Sequence, residues 1–108
     1  MVTGMFVFRL RDDIDLDEYQ EQQFRMYELV TGNPAYGFVS INNYTSASGD
    51  TVLIAEFETL EGITAWRNNP EHLVIQERAR TEWFEHYWGG EVTRLYEFDR
   101  QRGRVELA

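Results

Sequence analysis

The sequence predicts an α+β fold, a four-stranded antiparallel sheet with helices on one face, on three observations. Its 108 residues suit one domain and are too few for two. Its composition, 43% hydrophobic and 15% aromatic, is that of a chain with a core rather than a disordered one. Short apolar runs alternate with helical stripes in the order strand, helix, strand, strand, helix, strand.

The first strand is Met5 to Arg11, apolar at nearly every early position. Asp15 followed by Glu18 reads as a capping box, with Asp15 accepting from first-turn amides and Glu18 reaching back. From Leu16 the apolar positions Tyr19, Met26, Tyr27 and Val30 complete one helical stripe, which Gly32 and Asn33-Pro34 close. Residues 36–45 form a second, more polar strand, Ser46 to Asp50 a turn, and Thr51 to Glu58 a third strand. Thr59 is suited to cap a short helix carrying Ile63 and Trp66. Asn68-Asn69-Pro70 interrupts it, and Pro70 starts a longer helix expected to end near Tyr87. Gly89-Gly90 then precedes a last strand from Glu91 to Phe98, and the polar tail from Asp99 to Ala108 is expected to fray or pack on a partner.

This order is the ferredoxin-like βαββαβ arrangement over residues 1–108, with the first and third strands central and the second and fourth at the edges. The composition agrees, because the first and third strands are the most apolar and the other two alternate more. Helices cover one face of such a sheet. The other face carries large residues that a monomer would leave wet, so a back-to-back homodimer is expected.

The net charge is −9, from 19 acidic and 10 basic side chains. This disfavours nucleic acid and anionic lipid, which are bound chiefly through phosphates. With no cysteine there is no disulfide, thiolate nucleophile or iron–sulfur cluster. No apolar stretch approaches the roughly 20 residues of a membrane span, and no leader pattern precedes the first strand, so a soluble cytoplasmic protein is expected.

The chemistry-bearing element is the predicted helix from Pro70 to Tyr87. At about 100° per residue, His72, Gln76, Arg80, Trp83 and Tyr87 share an arc of roughly 80° on the face that should be buried. Burying such polar groups unsatisfied costs about 1–3 kcal/mol each, so they require partners, water or a ligand. One reading gives Arg80 a carboxylate at the sheet edge and makes His72 a cap at Pro70. The other gathers all of them around a ligand pocket walled by Trp66 and Trp83. On one helix His72 and His86 would lie about 21 Å apart, too far to share a metal. The acidic run at Asp12, Asp13, Asp15 and Asp17 reads as a solvated helix start rather than a calcium site.

The segment from Phe57 to His72, with Ala65-Trp66-Arg67 and Pro70-Glu71-His72, followed by Gln76, Arg80 and Trp83-Phe84-Glu85-His86-Tyr87, resembles the antibiotic-biosynthesis monooxygenase family of dimeric α/β barrels. Asn33-Pro34-Ala35-Tyr36-Gly37-Phe38 extends the match, where the family more often has Pro-Gly-Phe.

The resemblance implies a homodimer and, in one branch, oxidation of a small aromatic phenol to a quinone by oxygen without a cofactor. His72, Trp66 and Arg80 are then the candidate catalytic residues. Gln76, Trp83, Tyr87, Phe6 and Phe8 are the candidate substrate contacts. In a second branch a helix histidine ligates haem and a tryptophan presses on the macrocycle, roles open to His72 and Trp66. That branch also uses a first-strand asparagine, where this chain has Phe6, Val7 and Phe8. A third reading is a non-catalytic dimeric module that binds a small molecule.

Overall fold

The computed structural model describes residues 1–107; Ala108, the end of the expected tail, lies outside the described residues. Strand β1 (Val2–Leu10) leads to α1 (Leu16–Gly32), a 3-10 turn (Pro34–Tyr36), β2 (Phe38–Thr45) and β3 (Thr51–Phe57). Helices α2 (Leu60–Arg67) and α3 (Pro70–Arg78) follow, then a π-helical turn (Ala79–Trp83) and strands β4 (Phe84–Val92), β5 (Leu95–Asp99) and β6 (Gly103–Leu107).

The main sheet runs β2-β3-β1-β4 and every pairing is antiparallel. This is the ferredoxin-like fold, with the apolar first and third strands inside and the more polar ones at the edges. Helix α1 starts as its capping residues require: Asp15 Oδ1 accepts from the Glu18 amide at 3.1 Å. Glu18 does not close the capping box; its side chain binds Arg78 on α3 at 2.7 Å and ties the two helices together. Thr59 caps α2 by accepting from the Gly62 amide at 3.0 Å. Asn69 caps α3 by accepting from the Glu71 and His72 amides.

Strand alternation divides the sheet cleanly. Toward the helices β1 sends Val2, Phe6 and Phe8. Phe8 packs with Tyr19, Met26, Ile75 and Trp83, and Val2 with Val30, Phe57 and Ile63; Trp66 touches both groups. On the other face one register row crosses all four strands as Tyr44, Val52, Val7 and Trp88. Tyr44 and Trp88, at the two edges, are each 56% exposed. A half-exposed apolar stripe of this kind is costly to leave in water.

Expectations about the C-terminal third are corrected at four points. The long helix does not reach Tyr87. It ends at Arg78 and widens into the π turn, where the Phe84 amide donates to the Ala79 carbonyl. Trp83 explains the change: it is buried to 3% exposure, edge-on to Tyr19 at 5.1 Å and under the Arg78 guanidinium at 4.6 Å. The Trp83 carbonyl then accepts from the Arg11 amide at 2.8 Å, which docks the chain beside β1 and starts a strand.

The last sheet strand is therefore Phe84–Val92, not Glu91 to Phe98, and Gly89-Gly90 lie inside it. His86 is on this strand, with Nε2 3.2 Å from Asp50 Oδ1, and does not share a helix with His72. The tail is likewise not frayed over its described residues. Strands β5 and β6 pair as a hairpin whose turn is fixed by Asp99 Oδ1, which accepts from the Gln101 and Arg102 amides at 2.8 Å each. Gly103 ends that turn at φ +75°, a conformation glycine adopts freely. The hairpin stands off the body, so the chain measures 50 × 35 × 18 Å, with a radius of gyration of 15.4 Å. A compact chain of this length would give about 13 Å.

Candidate active site

Between the helix-facing side of the sheet and the three helices lies a cavity of about 840 Å³. Phe6 and Phe8 form its floor, their rings 5.7 Å apart. Trp66 and His72 stand over it from the α2–α3 junction, and Gln76 follows one turn along α3. Tyr87 borders it from β4, with its ring 5.8 Å from Phe6.

The α2–α3 junction fixes His72. The last carbonyls of a helix lack intrahelical partners, and the Trp66 carbonyl meets His72 Nδ1 at 3.0 Å. A carbonyl only accepts, so Nδ1 carries the proton. The indole of Trp66 stacks on the same imidazole, centroids 4.1 Å apart and planes 14° from parallel. Burial lowers the His72 pKa below its ordinary value, and the nearby Arg67 charge lowers it further, while the bond to Trp66 opposes both. His72 is thus a neutral imidazole near pH 7 with its lone pair on Nε2. Gln76 is held by its Nε2, which donates to the Arg67 carbonyl at 2.8 Å.

Two of the residues expected in the site are placed otherwise. Trp83 is in the core beside Tyr19 and does not line the cavity, because the π turn rotates it off the α3 face. Arg80 does not point inward. Its side chain is 57% exposed and its Nε donates to Glu77 at 3.2 Å, so it stands at the cavity rim and pairs on its own helix rather than with the sheet edge. The Glu77 carboxylate raises the Arg80 pKa above its ordinary value.

The structure adds residues that the sequence reading did not assign to the site. Tyr19 and Gln23 enter from α1, Arg67 from the end of α2, and Glu91 from β4. Tyr19 had been placed on the buried stripe, and Arg67 sits in the Ala65-Trp66-Arg67 motif, so both carried a signal. Burial pushes the Tyr19 hydroxyl up to about 12, so it stays a neutral phenol able to donate a hydrogen bond.

The geometry does not fit the expected haem roles. A macrocycle ligated by His72 Nε2 would stand across the plane of the imidazole. Trp66 lies parallel to that imidazole and would meet the macrocycle edge-on instead of pressing its face. The first-strand residues that line the cavity are Gly4, Met5, Phe6 and Phe8, none with a side chain that donates a hydrogen bond. Among the described residues no helix is long and apolar enough to cross a membrane.

No family model matches the chain. It is 30% identical over 84 residues to YqjZ of Bacillus subtilis (strain 168), itself uncharacterized, covering 78% of this chain and 68% of YqjZ. Its fold is that of the cofactor-independent oxygenase SnoaB from Streptomyces nogalater (TM-score 0.67, 18% identity, 85% of this chain and 90% of that one). It is also that of a candidate antibiotic biosynthesis monooxygenase from Nitrosomonas europaea (0.67, 15%, 84% and 86%). A dimeric ferredoxin-like protein from Thermobifida fusca, of unknown function, shares it too (0.62, 12%, 84% and 88%).

Proposed function

We propose that this chain, which belongs to the same family as YqjZ, is a cofactor-independent monooxygenase of the antibiotic-biosynthesis type, acting on a small phenolic aromatic. The observation that carries the proposal is His72, a neutral base fixed at the wall of an aromatic-lined cavity. Its Nε2 takes the phenolic proton. The electron-rich phenolate then passes an electron to dioxygen, and a carbon–oxygen bond forms on the ring carbon. The oxygen–oxygen bond breaks: one atom becomes the new quinone carbonyl, and the other leaves as water with the phenolic and ring protons. A dry cavity and hydrogen-bond donors favour the anionic stage, and Tyr19 and Gln76 are the donors at hand. Trp66 holds His72 and walls the ring, and Phe6, Phe8 and Tyr87 complete the apolar contact. Arg80 and its Glu77 partner act at the rim, where they meet substrate on its way in.

The working form in this proposal is a homodimer joined through the Tyr44–Val52–Val7–Trp88 face, as support from dimeric relatives of the fold suggests. Oxygen uptake with a panel of phenols and hydroquinones tests the reading. Turnover by the native chain that falls at least about tenfold in His72→Ala, and less in Trp66→Phe, supports it. Turnover equal in the native chain and both variants would leave a binding module as the better account.

A further inference from the structure

One strip of the cavity floor is stripped of side chains. In the register Gly4 sits between Ala55 on β3 and Glu91 on β4. All three face the helices, since a Cβ at Gly4 would lie 3.0 Å from Ile63 Cδ1. The neighbouring row, Leu53, Phe6 and Gly89, is also empty at its β4 end. A Cβ at Gly89 would come within 2.7 Å of the Met5 carbonyl and 2.8 Å of Phe6 Cδ2. Glu91 is thus the one long side chain at the β4 end of these two rows. Its carboxylate pairs with Arg67, the residue after Trp66, and both border the cavity. The Glu91 side chain is 26% exposed and that of Arg67 48%, so the pair stands at the mouth of the cavity.

A guanidinium carries five N–H donors and a carboxylate accepts at up to four sites, so one ion pair leaves capacity on both partners. A ligand bearing a donor beside an acceptor can bond to Glu91 and Arg67 together without separating them. A carboxylate would meet Glu91, and an ammonium would meet Arg67, each facing a like charge.

We propose that Arg67 and Glu91 form a subsite for a neutral head group presenting an N–H or O–H donor next to a carbonyl, such as a primary carboxamide. This rests on the aromatic cavity reading above and adds to it the polar end of the ligand. That end would lie at the cavity mouth, on the same lining as the His72–Trp66 stack.

Equilibrium dialysis of the full chain with naphthalene-2-carboxamide, naphthalene-2-carboxylate and 2-methylnaphthalene tests it. The native chain is expected to bind the amide about tenfold more tightly than the carboxylate, the effect of one misplaced charge. In Glu91→Gln, which keeps the shape and frees Arg67, that preference should vanish or reverse, each affinity being taken relative to that for 2-methylnaphthalene. Should Glu91→Gln fail to fold, Arg67→Lys replaces it, with weaker amide binding expected from loss of the forked donor. Equal binding of amide and carboxylate, or a ratio unmoved by the variant, overturns the subsite while 2-methylnaphthalene binding keeps the cavity. Binding of none of the three overturns both.

Discussion

His72 and Trp66 hold each other twice: the imidazole lies flat on the indole at 4.1 Å, and its Nδ1 donates to the same residue's carbonyl at 3.0 Å. One contact fixes the tilt of the ring and the other its rotation. Together they select the tautomer with Nε2 free. The five residues between them include the Asn69 cap and Pro70, so the pairing is a product of the break between α2 and α3.

The first prediction concerns pH. The folded His72 has a pKa below the ordinary 6.5, chiefly through burial. Between the folded and unfolded values the unfolded chain binds more protons, so stability rises with pH in that window. Its contribution is complete above pH 6.5 and is lost as pH falls below it. Urea titrations should give the native chain a steeper loss than His72→Gln over that range. Oxygen uptake should rise with pH through the same window and level off above it, since the neutral form is the base.

Gly89 and Gly90 are neighbours with opposite tolerance. A Cβ on Gly89 would overlap the Met5 carbonyl and the Phe6 ring, whereas nothing lies within 4 Å of one on Gly90. Gly89→Ala should destabilise by about 1–3 kcal/mol, the usual cost of overpacking. Gly90→Ala should be neutral or gain about 0.5 kcal/mol from a less flexible unfolded chain. Chemical denaturation of the two variants in parallel checks the contrast.

Trp83 is structural. With an edge contact to Tyr19 and Arg78 over its ring, Trp83→Ala should cost about 3–5 kcal/mol. Binding of 2-methylnaphthalene measured below the melting transition should be unaltered, whereas Trp66→Ala should weaken it.

The exposed row across the sheet predicts its own partner. In sedimentation the native chain should be dimeric at micromolar concentration. Trp88→Glu places a charge where an aromatic anchor is expected, and should weaken association by on the order of 2 kcal/mol or more. Circular dichroism should show the monomeric variant still folded.

The fold was legible because apolarity ranks the strands: Met5–Leu10 and Val52–Phe57 are the richest, and they are the central pair. Caps at Asp15 and Thr59 fall where their side chains predict helix starts, and Pro70 opens α3 as expected. The site was legible as far as α3 runs, so His72 and Gln76 border the cavity while Arg80 sits only at its rim. Beyond Arg78 the helical arc misleads. Residues 83–88, Trp-Phe-Glu-His-Tyr-Trp, fit a 3.6 period and equally a strand, and their aromatic content favours the strand. Gly89 looked like a turn residue but is required by a close approach to β1. Glu91 could not be found from sequence, since only pairing register sets it opposite Gly4.

The π turn from Ala79 to Trp83 passes into β4 with no intervening loop. Wall and floor of the hollow are therefore one continuous piece of backbone, without slack for a hinge on that side. The sides left to give are the rim at Arg80 and the seam between α2 and β4, which the Arg67–Glu91 pair closes. A chemical cross-link between those two segments should slow exchange of a bound aromatic far more than one placed across the β2–β3 turn.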